Sequence, residues 1–324
     1  MTKNIAIVCG GNTGEYDISI GSAGVVSKNL DRKKYNGYLI IIEGSDWYFE
    51  KKGIKYPVDK NDFSLKLDGE KVIFDGVFNA IHGTPGEDGN LQGYFDMIGI
   101  PYTSSNHTSS ALTFNKHFCN RFVNSYGIKS ANSLSFTRKD KIEMEEVIKS
   151  LGLPLFIKPV ESGSSVGISK VHVEAEFDEA VKTAFDEGER ILIEEFIKGR
   201  EIACGLVNKG NELIVFPLTE IVSKKDFFDY EAKYTDGLAE EITPAEVSEE
   251  VEQDIKTLSS FLFREMDCKG FVRFDYILAE NDLYFLEVNT IPGISEASIM
   301  PKMAVAFGMS IGDFFNIVLD NLFA

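Results

Sequence analysis

The sequence predicts a protein of mixed α/β and α+β class, with an N-terminal α/β domain on a parallel sheet followed by two α+β lobes. Three observations predict it. Short apolar runs alternate with helix-length amphipathic stretches over the first hundred residues, as in βαβ units. From Thr108 onward, short strands separated by Gly-rich turns replace that alternation. A chain of 324 residues is too long for one core, so two or three domains are expected. The expected boundaries are 1–104, 105–197 and 198–324.

In the first domain Ile5–Cys9 reads as a buried strand ended by Gly10–Gly11, and Ile18–Leu30 has helical spacing. Tyr38–Ile42 and Val77–Ile81 are further strands, and Asp88–Met97 is a helix closed off before Pro101. In the second domain Thr108 or Ser109 can cap a helix that runs to about Tyr126 and carries Lys116. Strands Leu155–Lys158, Val166–Val171 and Ile191–Phe196 follow, with a helix over Phe177–Phe185. The third holds strands Glu201–Val207, Leu213–Leu218, Phe271–Leu278 and Leu283–Val288, a helix over Ala245–Met266, and helix after Pro301. Ile221–Thr243 is a polar stretch too long for an ordinary connector, which suggests a functional flap.

Composition excludes several classes. Thirty-three Lys and Arg against fifty-one Asp and Glu leave a net charge of −18, which repels phosphate backbones and argues against nucleic-acid binding. The hydrophobic share of 44% and charged share of 26% are those of a folded chain. The four Cys lie far apart with no CxxC pair, so neither a zinc knuckle nor a disulfide framework is indicated. No signal peptide or membrane span is legible. The expectation is a cytoplasmic protein in a reducing compartment.

The strongest chemical signal is Phe271–Asn289. Alternate strand residues share a face, so Arg273 goes with Asp275, and Glu287 with Asn289. A three-residue turn over Glu280–Asp282 would set Asp275 opposite Glu287, at roughly 5 Å, and Arg273 opposite Asn289. Opposed carboxylates repel, and an all-oxygen set suits Mg²⁺. A solvated hairpin face balanced by Arg273 is the competing reading.

Three Gly-rich turns carry further candidates. Gly163–Gly167 matches the G-x-S-x-G elbow of serine hydrolases around Ser165, but strand rather than helix follows and no suitable His lies downstream. The alternatives are a phosphate-covering loop, with Lys158 just before it, or an ordinary hairpin turn. Gly10–Glu15 follows the first strand but lacks the dinucleotide spacing. The turn from His82 to Gly89, with Glu87, follows another strand and opens a helix. His82 could be structural and Glu87 could serve the helix dipole, but two such turns side by side favour a small polar ligand. Glu194–Glu195–Phe196–Ile197 is either a surface acidic pair or a linker receiving a nucleotide's base and ribose.

In order along the chain, GGNTGEYDIS, IHGTPGEDGNLQG, LFIKPVESGSSVGISKV, LIEEFIKGRE, DYEAKY, VRFDYIL and EVNTIPG resemble the D-alanine–D-alanine ligases of the ATP-grasp superfamily. The resemblance runs from about Ile5 to the C-terminus. It implies an N-terminal α/β domain followed by a two-lobed ATP-grasp, with nucleotide between the lobes. It implies ATP-dependent joining of two D-alanines through an acyl phosphate, for peptidoglycan synthesis, by a homodimer. It implies ATP and two Mg²⁺ ions, with Mn²⁺ as a substitute and a monovalent cation as an accessory. By motif, Lys116, Lys158 and Lys233 would contact the phosphates, under a loop of Gly163, Ser165 and Val166. Glu194, Glu195, Phe196, Ile197 and Glu201 would bind adenine and ribose, and Asp275, Glu287 and Asn289 the metals. Glu87 would pair with the first substrate's ammonium near His82, and Ser298 would hold the second carboxylate. Glu15, Ser164 and Tyr234 would form a hydrogen-bonded trio, and Arg273 and the Gly293 N–H would stabilise developing charge. Departures from the family pattern fall at Thr84–Pro85, Phe228 and Ala297. Glu231–Tyr234 resembles the dipeptide-forming members rather than those that use D-lactate. D-serine as second substrate and a non-catalytic nucleotide sensor are the remaining alternatives.

Overall fold

The computed structural model describes residues 2–163, 165–223, 239–280, 282–295 and 298–324. Ser164, the segment 224–238 (with Phe228, Lys233 and Tyr234), Asn281 and Ala297 therefore lie outside the described residues.

The N-terminal part begins with β1 (Lys3–Gly10), α1 (Tyr16–Asn29) and β2 (Tyr35–Glu43). A meander follows: β3 (Asp46–Lys51), β4 (Ile54–Asp59), β5 (Ser64–Leu67) and β6 (Glu70–Val72). Then come β7 (Gly76–Asn79) and α2 (Asn90–Ile98). The strand order is β6-β5-β4-β3-β2-β1-β7. The expected parallel core is present, because β1 pairs in parallel with β2 on one side and β7 on the other. The antiparallel meander extends it and carried no clear expectation. Its strands are short and half-exposed, so their alternation is weak.

The expected single helix from Thr108 is two. These are α3 (His107–Phe114), capped by the Asn106 side chain, and α4 (Lys116–Ser125), capped by Asn115. Asn115 leaves helical geometry, and its side chain takes the Phe118 N–H at 3.0 Å. An Asn satisfies orphan amides at a helix start as well as Thr or Ser does.

A second sheet has the order β10-β9-β11-β8, from β8 (Ser133–Thr137), β9 (Leu155–Pro159), β10 (Ser169–Val171) and β11 (Arg190–Glu195). Helices α5 (Met144–Leu151) and α6 (Phe177–Asp186) share its core, through Val147, Phe177 and Ala184. The strand expected from Val166 starts only at Ser169, since Ser165 has a φ of 59° and Gly167 one of 73°. Left-handed residues end strand pairing.

The third sheet runs β15-β14-β12-β16-β17, with β13 paired on β12. It comprises β12 (Arg200–Lys209), β13 (Glu212–Val215), β14 (Thr219–Ser223), β15 (Ala239–Ile242), β16 (Phe271–Ala279) and β17 (Asp282–Asn289). Helix α7 (Glu249–Glu265) lies before β16, and α8 (Ile299–Ala306) and α9 (Ile311–Asp320) close the chain. Both ends of the expected flap are strands, since β14 and β15 pair antiparallel from Glu220↔Ile242 to Ser223↔Ala239. Pro301 sits inside the first turn of α8, where its missing N–H has no partner to lose. No single described helix is long and apolar enough to cross a membrane.

One core joins the first and third sheets. Phe78 of β7 stacks on Phe271 of β16 at 6.1 Å and meets Phe315 of α9 edge-on at 5.8 Å. Gly205 of β12 lets α8 approach closely, since a Cβ there would lie 2.7 Å from the sulfurs of Met300 and Met303. The loops after β1, β7 and β17 are therefore held in fixed relation. The four cysteines are free and buried, and burial pushes each thiol above its ordinary value.

Candidate active site

The β2-β1-β7 order makes a topological switch point between β1 and β7, where open α/β sheets bind ligands at the carboxyl ends of strands. The turn after β1 and the turn after β7 both emerge there. They are tied together: the Asn12 N–H donates to Thr84 O at 2.9 Å and Thr13 Oγ1 to His82 O at 3.4 Å. Gly11, with a φ of 104°, has no room for a side chain, because a Cβ would come within 2.8 Å of the Ile81 side chain.

His82 is buried. Its Nδ1 lies 2.9 Å from Ile291 O, and its Nε2 3.0 Å from Ser22 Oγ. A carbonyl only accepts, so Nδ1 carries the proton and Nε2 accepts from the Ser22 hydroxyl. Burial lowers the His82 pKa more than the charge of Glu15 raises it, which favours this neutral form. Glu87 is also buried, and its Oε2 accepts the Gly83 N–H at 2.6 Å. Burial first, and the Glu15 charge second, push its pKa up to about 8, against weaker lowering by the Gly83 and Ile291 N–H groups. Ile291 thus ties this turn to the end of β17, since its carbonyl accepts from His82 and its N–H is near enough to Glu87 to draw that pKa down. Glu15, at the start of α1, is buried beside them. The Gly163 backbone packs on its carboxylate so closely that a Cβ would lie 2.4 Å from Oε2.

Ile291 follows β17, and β17 carries the acidic pair. Asp275 pairs with Glu287 and Arg273 with Asn289, as the sequence spacing predicts. The route to that register differs. Ala279 pairs with Asp282, so the turn is one residue shorter than expected, and Leu286 bulges between Phe285 and Glu287. The bulge restores the residue that the turn omits. Arg273 forks Asp275, Nε to Oδ1 at 2.8 Å and Nη2 to Oδ2 at 2.7 Å, and Asn289 Nδ2 reaches Oδ2 at 3.3 Å. Burial would lower the Arg273 pKa, but Asp275, Glu287 and Glu201 outweigh it and hold the guanidinium charged. Gly293 and Ser298 lie just beyond, since a Cβ on Gly293 would sit 2.9 Å from Ser298 Oγ.

The second sheet and α4 carry the lysines. Lys158 pairs across with Leu192, so Glu194, two residues on, shares its face. Lys158 Nζ contacts Glu194 Oε2, both are buried, and Asn120 Nδ2 donates to Glu194 Oε1 at 3.0 Å. The surface reading of Glu194 is therefore wrong. Glu195 takes the opposite face, where its Oε1 accepts the Asn132 N–H and Nδ2, each at 2.8 Å. Lys116 Nζ donates to Ser162 O at 2.6 Å, at the foot of the Gly163–Gly167 loop. The Val166 N–H donates to Gly163 O at 3.1 Å within it. Phe196 lies 6.0 Å from Phe156, and Lys170 Nζ sits 3.9 Å over the Phe196 ring. Sequence reading missed Lys170, although the β9/β10 hairpin register sets it opposite Phe156. It also missed Asn120, Ser22 and the Ile291 peptide. Only the position of Ile291, two residues after Asn289, hinted at its role.

This arrangement sets Glu15, His82 and Glu87 at a sheet switch point, joins them through Ile291 to an acidic strand pair, and places Lys158 and Lys116 next to a Gly-rich loop. Models of the D-Ala D-Ala ligase N-terminus and C-terminus match residues 4–105 and 122–320. The chain belongs to the D-alanine–D-alanine ligase family. A D-alanine–D-alanine ligase of Flavobacterium johnsoniae is 46% identical over 319 residues, 98% of each chain. Among solved structures, the VanG D-Ala:D-Ser ligase of Enterococcus faecalis superposes with a TM-score of 0.89 at 33% identity, covering 99% of this chain and 100% of that one. The D-alanine–D-alanine ligase of Bacillus anthracis complexed with ATP superposes with a TM-score of 0.80 at 25% identity, covering 99% and 98%. In this ligase-family chain, Lys233, Tyr234 and Ser164 fall outside the described residues, so their place in the site rests on the motif alone.

The buried Lys158–Glu194 pair makes a stability prediction. Lys158→Met leaves a buried carboxylate without its cation and should cost about 3 kcal/mol in denaturant unfolding. Adding Glu194→Gln should recover most of that loss, and additive losses would contradict the pairing.

Proposed function

We propose that the protein joins two D-alanines into D-alanyl-D-alanine with ATP, forming ADP and phosphate, as a step toward peptidoglycan precursors. The observation that carries this reading is the Ile291 peptide, which binds the His82–Glu87 turn to the end of the acidic strand. An amino acid whose ammonium meets Glu87 would thereby present its carboxylate toward Arg273 and the Asp275–Glu287 pair.

In the first step a carboxylate oxygen of the first D-alanine attacks the ATP γ-phosphorus, and ADP leaves. In the second, the amine of the second D-alanine attacks the acyl carbon and phosphate leaves with the bonding electron pair. Both steps need positioning and positive charge more than a strong base. Lys116, Lys158 and Lys233 would supply that charge at the phosphates, under the Gly163–Val166 loop. The aromatic slot of Phe196, with Ile197, Glu194, Glu195 and Glu201, would receive adenine and ribose. Arg273 and the Gly293 N–H would meet the negative charge on the tetrahedral carbon's oxygen. Ser298 would hold the second carboxylate beside Gly293. Glu15 would fix the pocket against the phosphate loop, with Ser164 and Tyr234 as its partners.

The donor set fits Mg²⁺. It is all oxygen, with two carboxylates and one amide drawn together by strand pairing. Among the described residues no three His, Cys, Asp or Glu side chains gather into a metal cage, so phosphate oxygens and water must complete the shell. Bound there, divalent ions neutralise phosphate charge. Asp275, Glu287 and Asn289 would hold them, with Mn²⁺ as a substitute. A homodimer, a cytoplasmic location and an accessory monovalent cation remain part of the proposal.

D-alanine as second substrate is favoured over D-serine, because D-alanine–D-alanine ligases match this chain at 40–46% identity and the VanG D-Ala:D-Ser ligase at 33%. Phosphate release from ATP and Mg²⁺ should depend on D-alanine, and the product from mixed D-alanine and D-serine should be mainly D-alanyl-D-alanine. Release without D-alanine dependence would contradict the reading. Glu287→Gln should lower turnover at least about a hundredfold with unfolding unchanged, and near-normal activity would refute its metal role. Glu87 gives a pH prediction. An ammonium pairs with its carboxylate form, and that form is disfavoured below about pH 8. The first-substrate KM should fall about tenfold per pH unit as pH rises toward 8, then level off. A KM flat from about pH 6 to 9 would contradict the assignment.

A further inference from the structure

Behind Glu87, on the far side of the turn that carries it, lies a set of buried amides with no role assigned above. We infer that Asn79 and Gln92 are positioning residues for the first amino acid, acting through the Gly86 carbonyl to aim Glu87. The inference rests on the reading of Glu87 as the ammonium partner and extends it one layer outward.

The Gly86 carbonyl, one residue before Glu87, accepts from two side chains at once. Asn79 Nδ2 donates to it at 3.0 Å and Gln92 Nε2 at 2.5 Å. Both side chains are essentially solvent-free, Asn79 at 1% and Gln92 at 0% exposure. Asn79 ends β7 and Gln92 lies in the first turn of α2, so the two amides clamp the turn from the strand before it and the helix after it. Each is itself held. Asn79 Oδ1 accepts the Ile81 N–H at 3.1 Å, the Asn79 N–H donates to Thr103 Oγ1 at 3.1 Å, and Gln92 Nε2 also reaches Ser104 Oγ at 3.2 Å. Gly86 is pressed flat on the strand end, where a Cβ would meet Ile81 O at 2.3 Å. The Gly86 and Glu87 N–H groups both turn back to Gly83 O, at 2.8 and 2.9 Å. With both Gly86 lone pairs filled and both N–H groups returned to Gly83, the peptide carrying Glu87 cannot rotate.

Gln92 Oε1 is buried and has no hydrogen-bond partner among the described residues. Flipping the amide would set that oxygen against the Gly86 carbonyl, so the orphan is structural. A leucine of similar volume would fill the space and remove that orphan, while taking from Ser104 Oγ the donor that Gln92 gives it. The amide therefore costs stability locally, and the donor it presents to Gly86 offsets that by fixing the turn.

The experiment is steady-state kinetics on Gln92→Leu, Ser104→Ala and Glu87→Gln, with the two D-alanine KM values resolved, alongside thermal unfolding. Gln92→Leu should raise the first D-alanine KM about tenfold, with the second D-alanine and ATP KM values within about twofold and the unfolding midpoint little changed, since the orphan it removes offsets the donor that Ser104 loses. Ser104→Ala, a milder change, should move the same KM in the same direction by about threefold. If Gln92→Leu does not fold, the Ser104→Ala selectivity decides on the same criterion. A uniform rise in all three KM values with a lower midpoint would reduce Gln92 to a structural residue and overturn the inference. So would an unchanged first KM in a folded Gln92→Leu protein, provided Glu87→Gln raises it. An unchanged first KM in Glu87→Gln would instead remove the reading on which the inference stands.

Discussion

The site depends on one electrostatic constraint: strand pairing forces two carboxylates together, one of them sealed from water. Asp275 is 1% exposed and lies directly across from Glu287. In the fold as it stands, Arg273 meets part of that charge by forking Asp275. Glu15 and Glu87 add acid on the other side of Ile291, and the burial of Glu87 already favours its protonated form. An acidic pocket of this kind is poised to gain stability from cations. On the proposed reading it would select ligands that bring positive charge, an ammonium on one side and divalent ions with a nucleotide on the other.

Geometry turns that charge balance into chemistry because the first and third sheets share a core. Phe78, Phe271 and Phe315 lock β7 against β16 and α9, and α8 settles on Gly205. The turn that would hold the amino group and the strand that would hold the metals cannot drift apart. The second sheet has a separate core around Ile157, Phe177 and Ile193 and brings Lys158 and the Gly-rich loop. Its loop meets the first sheet where Gly163 packs on Glu15.

Much of this was legible in the residues, for uneven reasons. The facing of Asp275 and Glu287 followed from strand periodicity, yet the expected turn was wrong. A shorter turn and the Leu286 bulge cancel, and a bulge leaves no mark in a pattern of alternating side chains. The parallel β1, β2 and β7 stood out because strands buried on both faces are continuous apolar runs. The β3–β6 meander did not, because its strands mix Lys, Asp and Glu with aromatics and are half exposed. His82 alone could not be distinguished from a core histidine, and its partners lie 60 and 209 residues away. Glu194 and Glu195 look alike in sequence, and only the register of β11 sends one inward and the other to Asn132. The motif resemblance carried the roles of Lys233, Tyr234 and Ser164, which no spacing argument reached.

The most direct test of the central claim is to count divalent ions bound per chain, with Mn²⁺ as probe and a non-hydrolysable ATP analogue present. The account predicts about two ions per chain, with binding weakened by Glu287→Gln and by Asp275→Asn. Ion uptake no greater than that of the nucleotide alone, or unaffected by either substitution, would contradict it.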